Sequence, residues 1–190
     1  MEKALKVLKQ IETQAQKHFI PCIGPVKGKI MEKIIKEHKI KTILEVGALV
    51  GYSSILMARF IPMDGKITTI EIDKNNFLAT KKNLKQAGFE DKVKVIHEDA
   101  LIALPKINET FDLLFLDAIK EDYLKYLLLA EKNIEKKSVV IADNVGIFKD
   151  SMQDYLNYVK TSKNYISRTV KVPLEFHTNV EDAMEISIRV

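Results

Sequence analysis

Cysteine is almost absent from this chain. Cys22 stands alone among 190 residues, so no internal disulfide is possible, which suits a reducing compartment. With no activating partner nearby in sequence it reads as a small apolar wall residue. No apolar run approaches the roughly 18 residues of a membrane span, and the N-terminus lacks the apolar stretch of a signal peptide. The expectation is a cytoplasmic protein with no membrane partner. Also missing is the G-x-G-x-x-G turn of a dinucleotide site, which places an oxidoreductase last among the readings.

What is present is ordinary for a globular chain: 46% hydrophobic and 29% charged residues. At this length one domain with a substantial core is expected over residues 1–190. The formal charge of +4 is uneven, since residues 1–41 hold ten lysines against four glutamates. Such a basic segment can attract nucleic acid. These lysines recur at helical spacing with glutamates among them and no interleaved aromatics, so they read first as a solvated helix face.

The chain is organised around Thr42-Ile43-Leu44-Glu45-Val46-Gly47-Ala48-Leu49-Val50-Gly51-Tyr52-Ser53-Ser54. A β-branched apolar run stops at an acid, turns through two glycines and continues as an apolar helix. Glycine permits a positive φ or the close approach of a ligand, and the following helix offers unpaired N–H groups. E-x-G-x-x-x-G is looser than the dinucleotide turn and suits a ligand that joins an amino acid to a nucleoside, as S-adenosylmethionine does. Two glycines in such a turn also occur for steric reasons alone.

Before this turn, Leu5, Leu8, Ile11, Ala15 and Phe19 predict an amphipathic helix over 4–19, and Val26, Ile30, Ile34 and Ile35 a second one from about Pro25 to Glu37. After it, apolar runs at Lys66–Ile72, Lys92–His97, Phe111–Leu116 and Ser138–Ala142 alternate with helical segments at Tyr52–Ile61, Asn75–Gly88, Ala100–Leu104 and Glu121–Asn133. The rhythm is βαβ, which gives an α/β fold with a parallel sheet, helices on both faces and strands buried on both sides. A helix at Met152–Lys160 and two late strands, Tyr165–Val172 and Met184–Val190, suggest an antiparallel pair at the sheet edge.

Ligands of open parallel sheets bind beyond the carboxyl ends of the strands. Each predicted strand ends on an acid: Glu45, then Glu71 and Asp73, then Asp99, then Asp117, then Asp143 with Asn144. They should converge on one cleft. Glu71 can accept both hydroxyls of a ribose, a device shared with dinucleotide folds. Asp99 with Ala100 can accept from an adenine amino group or cap the next helix. Asp117, Asp143 and Asn144 are hard oxygen donors that match Mg²⁺ or another divalent cation. Histidine does not join them; His18, His38, His97 and His177 are scattered and read as surface or packing residues. Lys120 follows Asp117 by three residues at the start of a helix. A lysine beside a divalent cation and shielded from water gives up its proton more readily, which makes it a usable base for a phenol-like hydroxyl.

Three ordered segments, Glu45–Ser53, Phe115-Leu116-Asp117-Ala118-Ile119-Lys120-Glu121-Asp122-Tyr123 and Ala142-Asp143-Asn144-Val145, resemble the metal-dependent O-methyltransferases of the catechol O-methyltransferase type. Ile23-Gly24-Pro25-Val26-Lys27-Gly28 resembles the segment before that family's second helix, and Pro173-Leu174-Glu175-Phe176 its late substrate-contacting stretch. The resemblance implies a Rossmann-like S-adenosylmethionine methyltransferase fold with a seven-stranded, mostly parallel sheet and a reversed last strand. It implies that residues 1–40 cover the site and residues 41–190 form the cofactor and metal core. Gly47, Gly51 and Ser53 would hold the methionine end of S-adenosylmethionine, Glu71 its ribose and Asp99 with Ala100 its adenine. Glu45, Tyr52, Ile72 and Asp117 belong to the same cofactor-binding set. Asp117, Asp143 and Asn144 would hold Mg²⁺, Lys120 would be the general base, and Lys120, Asn144 and Glu175 would meet the acceptor, Glu175 receiving the second hydroxyl of a catechol.

The chain departs from the animal catechol enzyme at Ala118 and Ile119, where that enzyme carries aromatic or imidazole residues, which bears on adenine stacking; separately, Phe19 before Ile23 and Phe148 beyond Asn144 are candidate aromatic walls. The leading expectation is methylation of one hydroxyl of a vicinal dihydroxy small molecule. A hydroxylated base in tRNA is the alternative acceptor, and a non-catalytic nucleotide-binding module is a third reading. Relatives occur as monomers and homodimers, and both stay open.

Overall fold

Alternation along the strands divides the core in two. Successive strand side chains point to opposite faces of a sheet, and here Ile43, Leu113, Phe115, Val139 and Ile141 pack into one buried cluster while Leu44, Val46, Leu114, Leu116, Val140 and Ala142 pack into the other. The structure is a computed structural model and describes residues 1–18, 20–176 and 180–190. The predicted roles of Phe19 and His177 lie outside the described residues.

In chain order the elements are α1 (Glu2–His18), α2 (Gly24–Glu37), β1 (Thr42–Val46), α3 (Tyr52–Ala58), β2 (Lys66–Glu71), α4 (Lys74–Ala87), β3 (Val93–His97), α5 (Ala100–Ala103), β4 (Phe111–Leu116), α6 (Tyr123–Ala130), β5 (Ile134–Ala142), α7 (Gln153–Thr161), β6 (Tyr165–Pro173) and β7 (Glu181–Arg189). Seven strands form one sheet in the order β3-β2-β1-β4-β5-β7-β6. β1 to β5 pair in parallel, and β7 runs antiparallel to both β5 and β6. The expected mostly parallel sheet with a reversed last strand is therefore present. The apolar cluster on one face takes its helical residues from α1 to α4, and that on the other face from α5 to α7. Among the described residues no helix is long and apolar enough to cross a membrane.

Two expectations need revision. The single helix expected over Glu121–Asn133 is shorter, running from Tyr123 to Ala130 between 3₁₀ turns at Lys120–Asp122 and Glu131–Asn133. The lysines of residues 1–41 are also not all solvated, because Lys27 is only 1% exposed. Its partners, Asp143 and Asp182, lie more than a hundred residues away in sequence, so spacing within the helix carried no sign of them.

Candidate active site

The order of β1 and β4 at the centre of the sheet sets the site. β1 is flanked by β2 on one side and β4 on the other, and the chain departs in opposite directions from it, which opens a crevice at the strands' carboxyl ends. A cleft of about 800 Å³ occupies that position. Its wall carries Gly47, Glu71, Ile72, Asp99, Ala100, Asp117, Lys120, Asp143, Asn144 and Glu175, residues the sequence disperses over nearly 130 positions. Ala15 to His18 and Ile20 to Cys22, the end of α1 and the connection to α2, line the same cleft.

The turn after β1 is tight for a stated reason. Gly47 has φ +96°, and a Cβ there would lie 2.1 Å from the Asp117 carbonyl oxygen, so no side chain fits. Gly47 and Asp117 are thereby brought side by side, with Asp117 N donating to the Val46 carbonyl at 2.9 Å. Gly51 has φ +82° and packs on Thr80. Gly51 is off the cleft wall, whereas Tyr52 and Ser53 line a small crevice that shares Gly47, Leu49 and Asp117 with it. Tyr52 also donates its hydroxyl to Glu12 of α1 at 2.7 Å.

Glu45 does not reach the cleft. It is 0% exposed, and Ser54 donates a hydrogen bond to it from below the turn. Burial, with a smaller contribution from the charge of Asp117, pushes the Glu45 carboxyl up to about 7. Glu71 is held differently. Its Oε2 accepts from Ala48 N at 3.2 Å and Leu49 N at 2.7 Å, and its Oε1 from Asp73 N at 2.9 Å. Asp99 caps α5, accepting from Leu101 N at 2.8 Å, and faces the cleft as well. Asp73 caps α4 through Asn76 N and is absent from the cleft wall. His97 stacks on Phe77 with ring centroids 4.9 Å apart and contacts the Ile72 carbonyl.

At the β4 and β5 end the side chains hold one another. Lys120 Nζ lies 2.8 Å from Asp117 Oδ1 and 2.8 Å from the Tyr123 hydroxyl, which donates in turn to the Asp143 carbonyl at 3.3 Å. Lys27 Nζ lies 2.6 Å from Asp143 Oδ1 and 2.7 Å from Asp182 Oδ2. Burial alone would push the Lys27 ammonium down, but Asp143 and Asp182 more than offset it and hold it above its ordinary value. Burial, then the charge of Asp117, raises the Asp143 carboxyl, with Lys27 pulling it back. Asn144 sits at φ +62°, a conformation Asn tolerates, and donates from Nδ2 to Asp182 Oδ2 at 2.8 Å. Glu175 reaches the N-terminus of α2 and accepts from Val26 N and Lys27 N. It packs where a Cβ on Gly24 would stand. Phe148 is on the cleft wall with its ring centroid 5.9 Å from Lys120 Nζ, and Ala118 and Ile119 line the wall too.

Asp117, Asp143 and Asn144 bring two carboxylates and a carboxamide to one stretch of wall, a set of hard oxygen donors that fits a small divalent cation. Among the described residues no group of three or more His, Cys, Asp or Glu side chains is gathered for a metal; the set here depends on the amide of Asn144. Lys27, Tyr123 and Asp182 escaped the sequence reading, although Tyr123 lies one helical turn after Lys120, the one signal that could have found it.

A family model described as O-methyltransferase matches residues 2–171. The chain belongs to the catechol O-methyltransferase-like family. Mouse catechol O-methyltransferase is 32% identical over 190 residues, covering 96% of this chain and 71% of its own length. Zebrafish catechol O-methyltransferase B is 34% identical over 173 residues, covering 87% of this chain and 64% of its own. The chain thus spans about two thirds of the length of these relatives. Among solved structures, the O-methyltransferase TomG of Streptomyces achromogenes, in complex with S-adenosylmethionine, superposes with a TM-score of 0.88 at 24% identity, over 97% of this chain and 90% of that one. An O-methyltransferase from Bacillus cereus in complex with S-adenosylhomocysteine gives 0.87 at 22% identity, over 100% and 91%. These two share the fold.

Proposed function

We propose that this chain transfers the methyl group of S-adenosylmethionine to one hydroxyl of a vicinal dihydroxy small molecule, with Mg²⁺ or another divalent cation as cofactor. The observation that carries the reading is the pairing of Lys120 Nζ with Asp117 Oδ1 at 2.8 Å on the wall of the cleft that Glu71 and Asp99 also face. A lysine that can take a proton once its amine is neutral, an oxygen donor set and the two carboxylates Glu71 and Asp99 meet in one cleft. Family membership supports the reaction class.

The roles then divide along the cleft. Glu71 and Ile72 face the ribose, Asp99 and Ala100 the adenine, and Gly47 with the crevice beside Tyr52 and Ser53 the methionine end; Gly51 shapes the turn, and Glu45 supports it from below. Asp117, Asp143 and Asn144 would hold the cation, which supplies positive charge where an oxyanion develops. Lys120 takes the hydroxyl proton, and Asp117 Oδ1 and the Tyr123 hydroxyl fix its amine in place. Ile119, Ile147, Phe148 and Leu174 give the acceptor end an apolar lining that fits a flat ring and keeps water from the sulfonium. Glu175 and Asn144 face the same space.

Methyl transfer from labelled S-adenosylmethionine to a panel of ortho-dihydroxy aromatics, with Mg²⁺ and with chelator, tests this. Turnover that requires both vicinal hydroxyls and the metal is the expected result. Cofactor binding without turnover of any diol would overturn the acceptor assignment, and hydroxylated tRNA is then the acceptor to try.

A further inference from the structure

Asn144 is a ligand candidate with two chemically opposite ends. Its carboxamide oxygen can approach a cation, whereas its NH₂ group repels one, and rotation by 180° about the last side-chain bond exchanges them at almost no steric cost. Something must choose. Asn144 Nδ2 donates to Asp182 Oδ2 at 2.8 Å. Asp182 is itself surrounded by donors: Lys27 Nζ at 2.7 Å shares Oδ2, and Gly146 N at 3.2 Å and Ile147 N at 3.1 Å share Oδ1. A carboxylate in this position has nothing to donate, so it accepts the NH₂ end of Asn144 and leaves the oxygen for the cleft.

We propose that Asp182, at the start of β7, is a positioning residue that fixes the orientation of the Asn144 amide and thereby makes Asn144 an oxygen ligand. The proposal rests on the divalent-cation reading above. Lys27 completes the device, because its ammonium lies between Asp182 and Asp143 and ties Asp143 directly, and Asn144 through Asp182, to α2. Partners that orient ligands in this way typically change metal affinity by about 10–100-fold when altered.

Asp182→Asn and the swapped pair Asp182→Asn/Asn144→Asp separate orientation from simple structural support. In Asp182→Asn one oxygen remains for four donors. If it stays on Gly146 N and Ile147 N, the new NH₂ group faces Asn144, which satisfies it by turning its own NH₂ toward the cleft. In the swapped pair the carboxylate introduced at position 144 accepts from the carboxamide introduced at position 182 with one oxygen and shows the other to the cleft, and the total charge is unchanged.

The measurement is binding of Mn²⁺ alone, read as loss of the free-ion electron paramagnetic resonance signal. Calorimetric S-adenosylhomocysteine binding and a thermal melt check the fold. The expected result is Mn²⁺ affinity about 10–100-fold weaker in Asp182→Asn and largely restored in the swapped pair, with S-adenosylhomocysteine affinity held. Parent-like Mn²⁺ binding by Asp182→Asn, or a folded swapped pair that binds no better than the single variant, would overturn the proposal. A parent that binds S-adenosylhomocysteine but no Mn²⁺ fails the cation reading itself and takes this proposal with it. Should Asp182→Asn fail to fold, the swapped pair carries the test: a pure scaffold role for Asp182 leaves it unfolded too, whereas the orientation role predicts a folded, Mn²⁺-binding protein.

Discussion

At the β1–β2 end of the cleft Glu71 is fixed by three backbone N–H groups, while at the β4–β5 end the charged side chains hold one another, Lys120 with Asp117 and Lys27 with Asp143 and Asp182, the last also anchored by Gly146 N and Ile147 N. The first arrangement is rigid and costs little to keep, since the amides belong to turns that must be satisfied in any case. The second places three acids and two lysines in partly or fully buried positions, where removing one partner strands the other. A ligand that joins the first end meets a finished surface; one that joins the second must compete with existing ion pairs.

The largest expected effect breaks the charged end alone. Lys120→Ala removes the proposed base and should lower turnover of an ortho-dihydroxy aromatic by about 10²–10⁴-fold, the usual worth of a positioned acid or base. S-adenosylhomocysteine affinity should stay close to the parent value, because among the described residues Lys120 pairs with Asp117, Tyr123 and the Phe148 ring and with no residue of the β2 end. Single-turnover rates with calorimetry on the same preparation check this. Loss of both activities together would mean that the two ends are one mechanical unit.

A smaller effect is expected at the join between the ends. Glu45 is buried under the glycine turn with its carboxyl pushed up to about 7. A carboxyl raised in the folded state contributes stability that is present below its unfolded value, near 4.5, and is lost as pH rises through 7. Glu45→Gln removes this dependence. The variant should gain on the parent by about 2–3 kcal/mol between pH 5 and pH 8, read from urea melts at both values. A constant difference across that range would show that Glu45 is not carrying a buried charge.

Glu71→Gln tests the backbone-built end. The amide nitrogen must face either the Ala48 and Leu49 N–H groups or that of Asp73, donor against donor. S-adenosylhomocysteine should bind about tenfold more weakly, in line with one charge-assisted hydrogen bond. Mn²⁺ affinity should hold.

The same contrast governs what the sequence made legible. The sheet, its reversed strand and the acids at the strand ends follow from short-range signals: apolar runs, two glycines, and acids placed where each run stops. Five of the predicted strand ends supply side chains to one cleft or its floor because parallel strands share a direction. Lys27 and Asp182 had no such signal. Lys27 stands in a helix beside many solvated lysines, and Asp182 stands next to Glu181 in an ordinary acidic pair. Their meaning comes from being brought together across 155 positions, which only the tertiary placement of α2 beside the start of β7 decides.

Glu175 stands between the two plans, and the effect expected there is the smallest. It was expected to meet the second hydroxyl of a catechol, and it does line the cleft, yet its Oε1 accepts from Val26 N and Lys27 N at the start of α2. Burial holds its carboxyl above the ordinary value, with those two N–H groups pulling it back. One oxygen serves the helix, which leaves Oε2 for an acceptor. Glu175→Gln keeps an amide oxygen to cap α2, so its melting temperature should stay close to the parent's, whereas outright loss of a cap typically costs about 1 kcal/mol. If Oε2 accepts a hydroxyl, the NH₂ group that replaces it presents a donor to a donor, and KM for the diol should rise about tenfold with S-adenosylhomocysteine and Mn²⁺ affinities unchanged. If Glu175 acts on the helix alone, KM and the melt both stay at the parent's values, since the Gln oxygen still accepts from Val26 N and Lys27 N. That split assigns Glu175 either to the acceptor or to the scaffold that keeps Lys27 in place.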